Sequence, residues 1–193
     1  MGHSQAAKAQ TRDRIVQTTA ARIREAGIDG VGVADLMKDA GLTHGGFYRH
    51  FGSREELLNE AVACALEDGG QHLANTIAGG GKAPLAALVD AYLSAAHRDS
   101  LATSCAVTTL AADVARSSPE ARAAYTMQVE QYLALIAGSM LTSNRKSKGA
   151  RRQAVAALCV LVGAVSLARA VADEQLSREI LKSAGDAVKA QFG

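Results

Sequence analysis

Tryptophan is missing from this chain, and phenylalanine and tyrosine add only three and four rings to its 193 residues. Between residues 57 and 191 the aromatics are Tyr92, Tyr125 and Tyr132 alone, which excludes an aromatic-walled cavity for large planar ligands and favours a smaller aliphatic pocket. Proline occurs twice, as Pro84 and Pro119, while alanine is abundant, so long helices meet few breaks. No useful stretch alternates with period two, which leaves a sheet without support and predicts an all-α fold. The three cysteines, Cys64, Cys105 and Cys159, are scattered with no C-x-x-C pair; they read as free thiols in a reducing compartment rather than as a zinc site. H-E-x-x-H, G-x-S-x-G, a phosphate-cradling glycine loop and paired Glu-x-x-His ligands are all lacking, so neither a catalytic site, a metal nor a cofactor is expected. The polar start, residues 1–7, has no apolar secretory run, and a cytoplasmic protein is expected. Residues 154–168 carry no charge, yet they are too few to span a bilayer and predict a helix buried on all sides, with no membrane partner.

What the chain does have is concentrated in residues 33–51. Val33, Leu36, Met37 and Ala40 share one face at helical spacing, Gly41 can take the positive φ of a sharp turn, and Thr43 can cap a second helix. Phe47 and Phe51 anchor that helix, four residues apart. Its outward face is His44, Gly45, Gly46, Tyr48, Arg49 and His50, a hydrogen-bonding and cationic set with two residues that have almost no side chain. Such a face can approach a DNA major groove, which displays base edges between walls of phosphate. A plain corner of two helices has the same outline. Ser53-Arg54-Glu55-Glu56 then forms a capping box for a further helix starting near Arg54.

The run Thr11-Arg12-Asp13-Arg14-Ile15, Ala26-Gly27, Val33-Ala34-Asp35-Leu36, Ala40-Gly41-Leu42, Phe47-Tyr48-Arg49-His50-Phe51 and Ser53-Arg54-Glu55-Glu56-Leu57 resembles the N-terminal domain of TetR-family transcriptional repressors over about the first sixty residues. The resemblance implies a three-helix helix-turn-helix head, residues 1–56, and a helical ligand-binding and dimerisation body, residues 57–193. It implies a homodimeric repressor on double-stranded operator DNA, released by a small-molecule inducer. Thr43, Tyr48, His50 and Arg54 match positions that hold phosphates; His44, Gly45 and Gly46 match positions that face bases. Two residues depart from the pattern: Gly32 stands where Ser or Thr caps the second helix, and Ala34 where Arg is common.

Net charge is +2, and the first sixty residues balance eight basic against eight acidic side chains. Attraction to DNA must therefore come from placement, with Lys8, Arg12, Arg49 and Arg54 near the docking surface and the acids turned away. Ile15, Thr19 and Ile23 line a first helix stopped by Gly27. Leu57, Leu58, Ala61, Val62, Ala65 and Leu66 line a helix entering the body, interrupted late by Gly69-Gly70, and Gly79-Gly80-Gly81 marks a loop. Further helices are predicted from Pro84, over 105–114, from Ser118-Pro119-Glu120 through Met140, and over 150–171 and 175–191. The basic cluster Arg145, Lys146, Lys148, Arg151 and Arg152 reads as a solvated loop. An apolar helix at a surface needs a partner, so the last two helices are expected to build the homodimer interface, as the resemblance also implies. Tyr92, Cys105, Thr109 and Tyr125 are candidate ligand contacts, and Cys105, near a helix start, could sense oxidants or electrophiles or be a small packing residue. A helical enzyme, or a small-molecule-binding protein without DNA binding, is the alternative.

Overall fold

The computed structural model describes residues 2–140 and 149–192, and among these the secondary structure is helical with no strand. The loop expected at 143–148, with Arg145, Lys146 and Lys148, lies outside the described residues. The described residues form two compact units, residues 1–67 with 101–125 and residues 68–100 with 126–193.

Unit 1 begins with α1, Gly2–Ala26. Ile15, Thr19 and Ile23 are fully buried, and the helix ends as the sequence predicts: Gly27 takes φ 78° and its N–H returns to the Ile23 carbonyl at 2.9 Å. Helix α2, Val33–Asp39, closes with Gly41 at φ 73°, the N–H of Gly41 reaching Lys38 and that of Leu42 reaching Met37. This is the paired-bond helix stop that glycine permits without steric cost. The Gly32 N-cap supplies no side-chain bond to α2. The second element of the motif is not an α-helix: His44–Arg49 is a 3₁₀ turn, and Thr43 makes no side-chain cap. Two adjacent glycines and a length of six residues disfavour a full α-turn ladder, so the segment tightens to bonds such as Gly46 N–H to Thr43 O at 2.9 Å.

Helix α3, Arg54–Gly79, starts where the capping box places it. The Glu56 N–H bonds Ser53 Oγ at 3.0 Å, while the Glu56 carboxylate reaches back to the N–H of Gly52 at 2.7 Å. Leu57, Ala61, Val62 and Ala65 are buried in unit 1, which holds α3 as far as residue 67. The helix over 105–114 is split into α6, Ala106–Thr109, and α7, Ala111–Val114, because Leu110 leaves helical geometry at φ −106°, ψ 3° to become fully buried.

In unit 2, α3 runs through Gly69-Gly70 without the expected interruption. A Cβ at Gly70 would meet Nε2 of Gln128 at 2.5 Å, so this glycine makes room for a buried amide rather than breaking the helix. Helix α4, Pro84–Tyr92, packs on α10, Glu174–Phe192; α5, Ala95–Asp99, packs on α9, Ala150–Ala170; and α9 packs along α10. Arg98 and Arg169 close this layer: Arg98 donates to Ser177 Oγ at 2.7 Å, and Arg169 donates to the carbonyls of His97 and Arg98 at 2.8 Å each. Helix α8, Pro119–Ser139, is shared by the two units and is capped by Ser118, whose Oγ accepts the N–H of Ala121. Helix α9 is long and apolar enough to cross a membrane by length and composition alone. It is not buried all round: Ala154, Leu158, Leu161 and Val165 face inward, while Val155, Val160 and Leu167 are exposed.

Candidate nucleic-acid interface

Phe47 and Phe51 are both 2% exposed, with ring centroids 5.6 Å apart, and they pin the 44–49 turn from within and from just beyond its end. With the rings inward, His44, Gly45 and Arg49 are left exposed, and Tyr48 stands 74% exposed, edge-on to Phe47 at 5.2 Å. A Cβ built on Gly45 would meet nothing within 4 Å, and one on Gly46 would make only ordinary contact with Met37 and Thr43. The expected outward set is thus on one exposed turn, with Thr43 at its start and half-buried His50 at its end.

Two of the expected cations are committed inside the protein. Arg12 pairs with Glu56 at 2.8 Å and Glu60 at 2.5 Å, donates to the His50 carbonyl, and lies 4.2 Å from the centre of the Phe51 ring. The first turns of α3 thus offer it two carboxylates that partly offset its charge. Arg54 donates to the carbonyls of Ile28 at 2.9 Å and Val31 at 3.1 Å, so part of its guanidinium is already engaged by the turn between α1 and α2. Buried Arg24 is a tie that the sequence reading missed: it donates to Ala102 O at 2.8 Å and Ala65 O at 3.0 Å. Its one local signal is the position four residues after buried Ala20.

His50 is held below its ordinary pKa, first by desolvation and then by Lys8, Arg12 and Arg49. Burial also lowers His97 in unit 2; its Nδ1 lies 2.6 Å from the Tyr92 carbonyl, which works the other way, and Arg169 and His72 add to the lowering. Both imidazoles therefore take up a proton less readily in the folded protein than in the unfolded chain, whose uptake centres near pH 6.5. Their stabilisation is complete above that pH and is lost as the pH falls through the lowered folded values. The urea midpoint is expected to hold between pH 8 and 7 and to fall between pH 6.5 and 5.5. A His50→Gln, His97→Gln double variant should show a smaller fall, and an equal fall would refute the assignment.

Of the candidate ligand residues, Cys105, Thr109 and Tyr125 belong to unit 1. Cys105 is buried, at the N-cap of the four-residue α6; Thr109 donates to its carbonyl at 3.3 Å. Tyr125 donates to Val107 O at 2.7 Å, and its pKa is pushed up to about 12 by burial and by Cys105, so it remains a protonated donor. Tyr92 is buried in unit 2, its ring 4.6 Å from that of His97. A cleft of about 370 Å³ in unit 1 is lined by Ile28, Arg54, Leu58, Asn59, Asp113 and Ser118 among others. No group of three or more potential metal ligands occurs among the described residues.

Comparison with known proteins places this geometry in context. Residues 15–61 match the family model of bacterial regulatory proteins of the tetR family, and residues 82–183 match that of the C-terminal domain of LmrA/YxaF-like transcriptional regulators. An uncharacterised HTH-type transcriptional regulator of Mycobacterium tuberculosis is 29% identical over 166 residues, covering 82% of this chain and 84% of that protein. Among solved structures, a TetR transcriptional regulator from Chloroflexus aurantiacus superposes with a TM-score of 0.81 at 26% identity, covering 96% of this chain and 98% of the other. The reduced form of NemR from E. coli superposes with a TM-score of 0.79 at 21% identity, covering 95% and 97%, a likeness of fold.

Proposed function

The chain belongs to the TetR family of bacterial transcriptional regulators, and from that premise we propose that it is a homodimeric repressor that binds a palindromic operator and is released by a small molecule. The observation that carries the reading is the exposed 44–49 turn, held rigid by two buried phenylalanines and free of acidic side chains. Residues 1–56 are the DNA-reading head and 57–193 the ligand-binding and dimerisation body. His44, Gly45 and Gly46 face base edges, the glycines allowing close approach; Thr43, Tyr48, Arg49 and His50 hold phosphates. Arg54, part of whose guanidinium holds the Ile28 and Val31 carbonyls, also reaches a phosphate at the edge of this interface. Tyr92 in unit 2 and Cys105, Thr109 and Tyr125 in unit 1 are each proposed as ligand contacts. The protein acts in the cytoplasm, without enzymatic activity, as a regulator of transcription.

The test is selection from a randomised duplex library followed by anisotropy titration. The selected site is expected to be palindromic and to be bound more weakly as salt rises. Tyr48→Phe should weaken all sequences alike, whereas His44→Ala should change preference at one position by about 1 to 3 kcal/mol. Equal affinity for the palindrome and its scrambled version would refute operator recognition.

A further inference from the structure

Both backbone groups of Ile28 are taken by side chains from elsewhere in the chain. Its N–H donates to Oδ2 of Asp113 at 3.2 Å, and its carbonyl accepts from Arg54 at 2.9 Å. Gly27 precedes it in the left-handed region, and a Cβ there would lie 3.0 Å from the same Asp113 oxygen, so the carboxylate rests directly on the turn that ends α1. The other Asp113 oxygen pairs with Arg116 at 3.2 Å, and the Asp113 carbonyl accepts from Ser117 Oγ at 2.8 Å, which fixes the aspartate within its own segment. A second tie runs from Arg24 of α1 to Ala102 O. Residues 101–118 are thereby fastened to the end of α1 at two points. The turn at 27–32 leads straight into α2, whose Gly32 cap contributes no side-chain bond, and α2 packs against the 44–49 turn. The buried side chains of Ile28 and Val31 seat the turn, Arg22 of α1 pairs with Asp39 at the end of α2 at 3.1 Å, and the bonds from Asp113 and Arg54 orient the turn's backbone.

We propose that Asp113 is a positioning residue for DNA recognition: its carboxylate fixes the 27–31 turn, hence the angle at which α2 and the 44–49 turn are presented, and it carries any displacement of residues 101–118 to them. This rests on the DNA-binding reading above and adds its regulation. The same segment holds Cys105 and Thr109, and Tyr125 donates to Val107 O within it, so a ligand at those residues acts on this lever. The cleft of about 370 Å³ beside Asp113 gives the segment space to shift. Coupling of this kind is reciprocal: whatever moves the head must be felt at residues 101–118.

The experiment compares full-length wild type, Asp113→Ala and Asp113→Asn by residue-resolved amide exchange, with and without the duplex that wild type selects from a randomised library. The Ile28 amide should exchange about tenfold faster in Asp113→Ala, the loss expected for one hydrogen bond to a charged acceptor, and within about twofold of wild type in Asp113→Asn, which keeps an acceptor. Duplex affinity should fall about tenfold in Asp113→Ala and be restored in Asp113→Asn. Bound duplex should slow exchange across residues 101–118 in wild type and Asp113→Asn but not in Asp113→Ala. Unchanged Ile28 exchange in Asp113→Ala, an equal loss of affinity in both variants, or a 101–118 segment indifferent to duplex in wild type would each overturn the proposal. If wild type selects no duplex, the DNA-binding reading fails instead, and Ile28 exchange still reports whether Asp113 holds the turn.

Discussion

Val160→Glu combined with Leu167→Glu is expected to convert the protein to monomers and to lower its affinity for operator DNA at least a hundredfold. Both side chains are exposed on α9, Leu167 at 59%, and neither contributes to the buried face formed by Leu158, Leu161 and Val165. Gly163 lies between them with open space where a Cβ would be, so a neighbouring backbone can come close. Exposed Leu176 on α10, the helix packed along α9, extends the apolar surface. An isologous pairing of two copies would cover this face, and carboxylates placed in its middle would be desolvated without partners. The DNA effect follows from linkage: a dimer holds its second half-site at high effective concentration, worth roughly 10² to 10⁴ in affinity, and a monomer has no such advantage. Light scattering at ten micromolar and anisotropy on the selected duplex read the two effects, while circular dichroism should be unchanged. A dimer mass for the double variant would refute this interface.

Phe51→Ala is expected to cost about 3 to 5 kcal/mol and to abolish specific DNA binding. The ring is 2% exposed, stacks on Phe47 at 5.6 Å, and carries the Arg12 guanidinium 4.2 Å above it. Removing it leaves a cavity under the 44–49 turn and takes the platform from a cation whose other partners, Glu56 and Glu60, lie on α3. Phe51→Leu, which refills most of the volume, should recover more than half of the stability. A urea melt of Phe51→Ala within 1 kcal/mol of wild type would show that the turn does not depend on this ring.

The elements that were legible in the sequence are those whose cause is local. Gly41 stops α2 because one residue must take a positive φ, Ser53 starts α3 because its hydroxyl reaches three residues on, and the Ile15, Thr19 and Ile23 stripe repeats at the helical period. The errors arose where a distant partner decides. Gly70 looks like a breaker until Gln128, 58 positions later, is seen to fill its notch. Leu110 breaks the expected 105–114 helix by turning into the core. Arg54 and Arg12 carry the right charge for DNA, and the carbonyls and carboxylates that also hold them are partners that no local spacing reveals. The outward set from His44 to Arg49 was readable because Phe47 and Phe51 orient it from within the same eight residues.

The internal pairing of Arg12 has a consequence for how such a regulator would find its site in a cell. On the proposed DNA-binding reading, a head whose Arg12 is paired with Glu56 and Glu60 would displace fewer counterions from any stretch of duplex it meets. Chromosomal DNA offers on the order of 10⁶ or more competing stretches, so a weak grip on each leaves a larger share of the molecules unbound and searching. On the proposed repressor reading, fewer copies per cell would then suffice to keep the operator occupied.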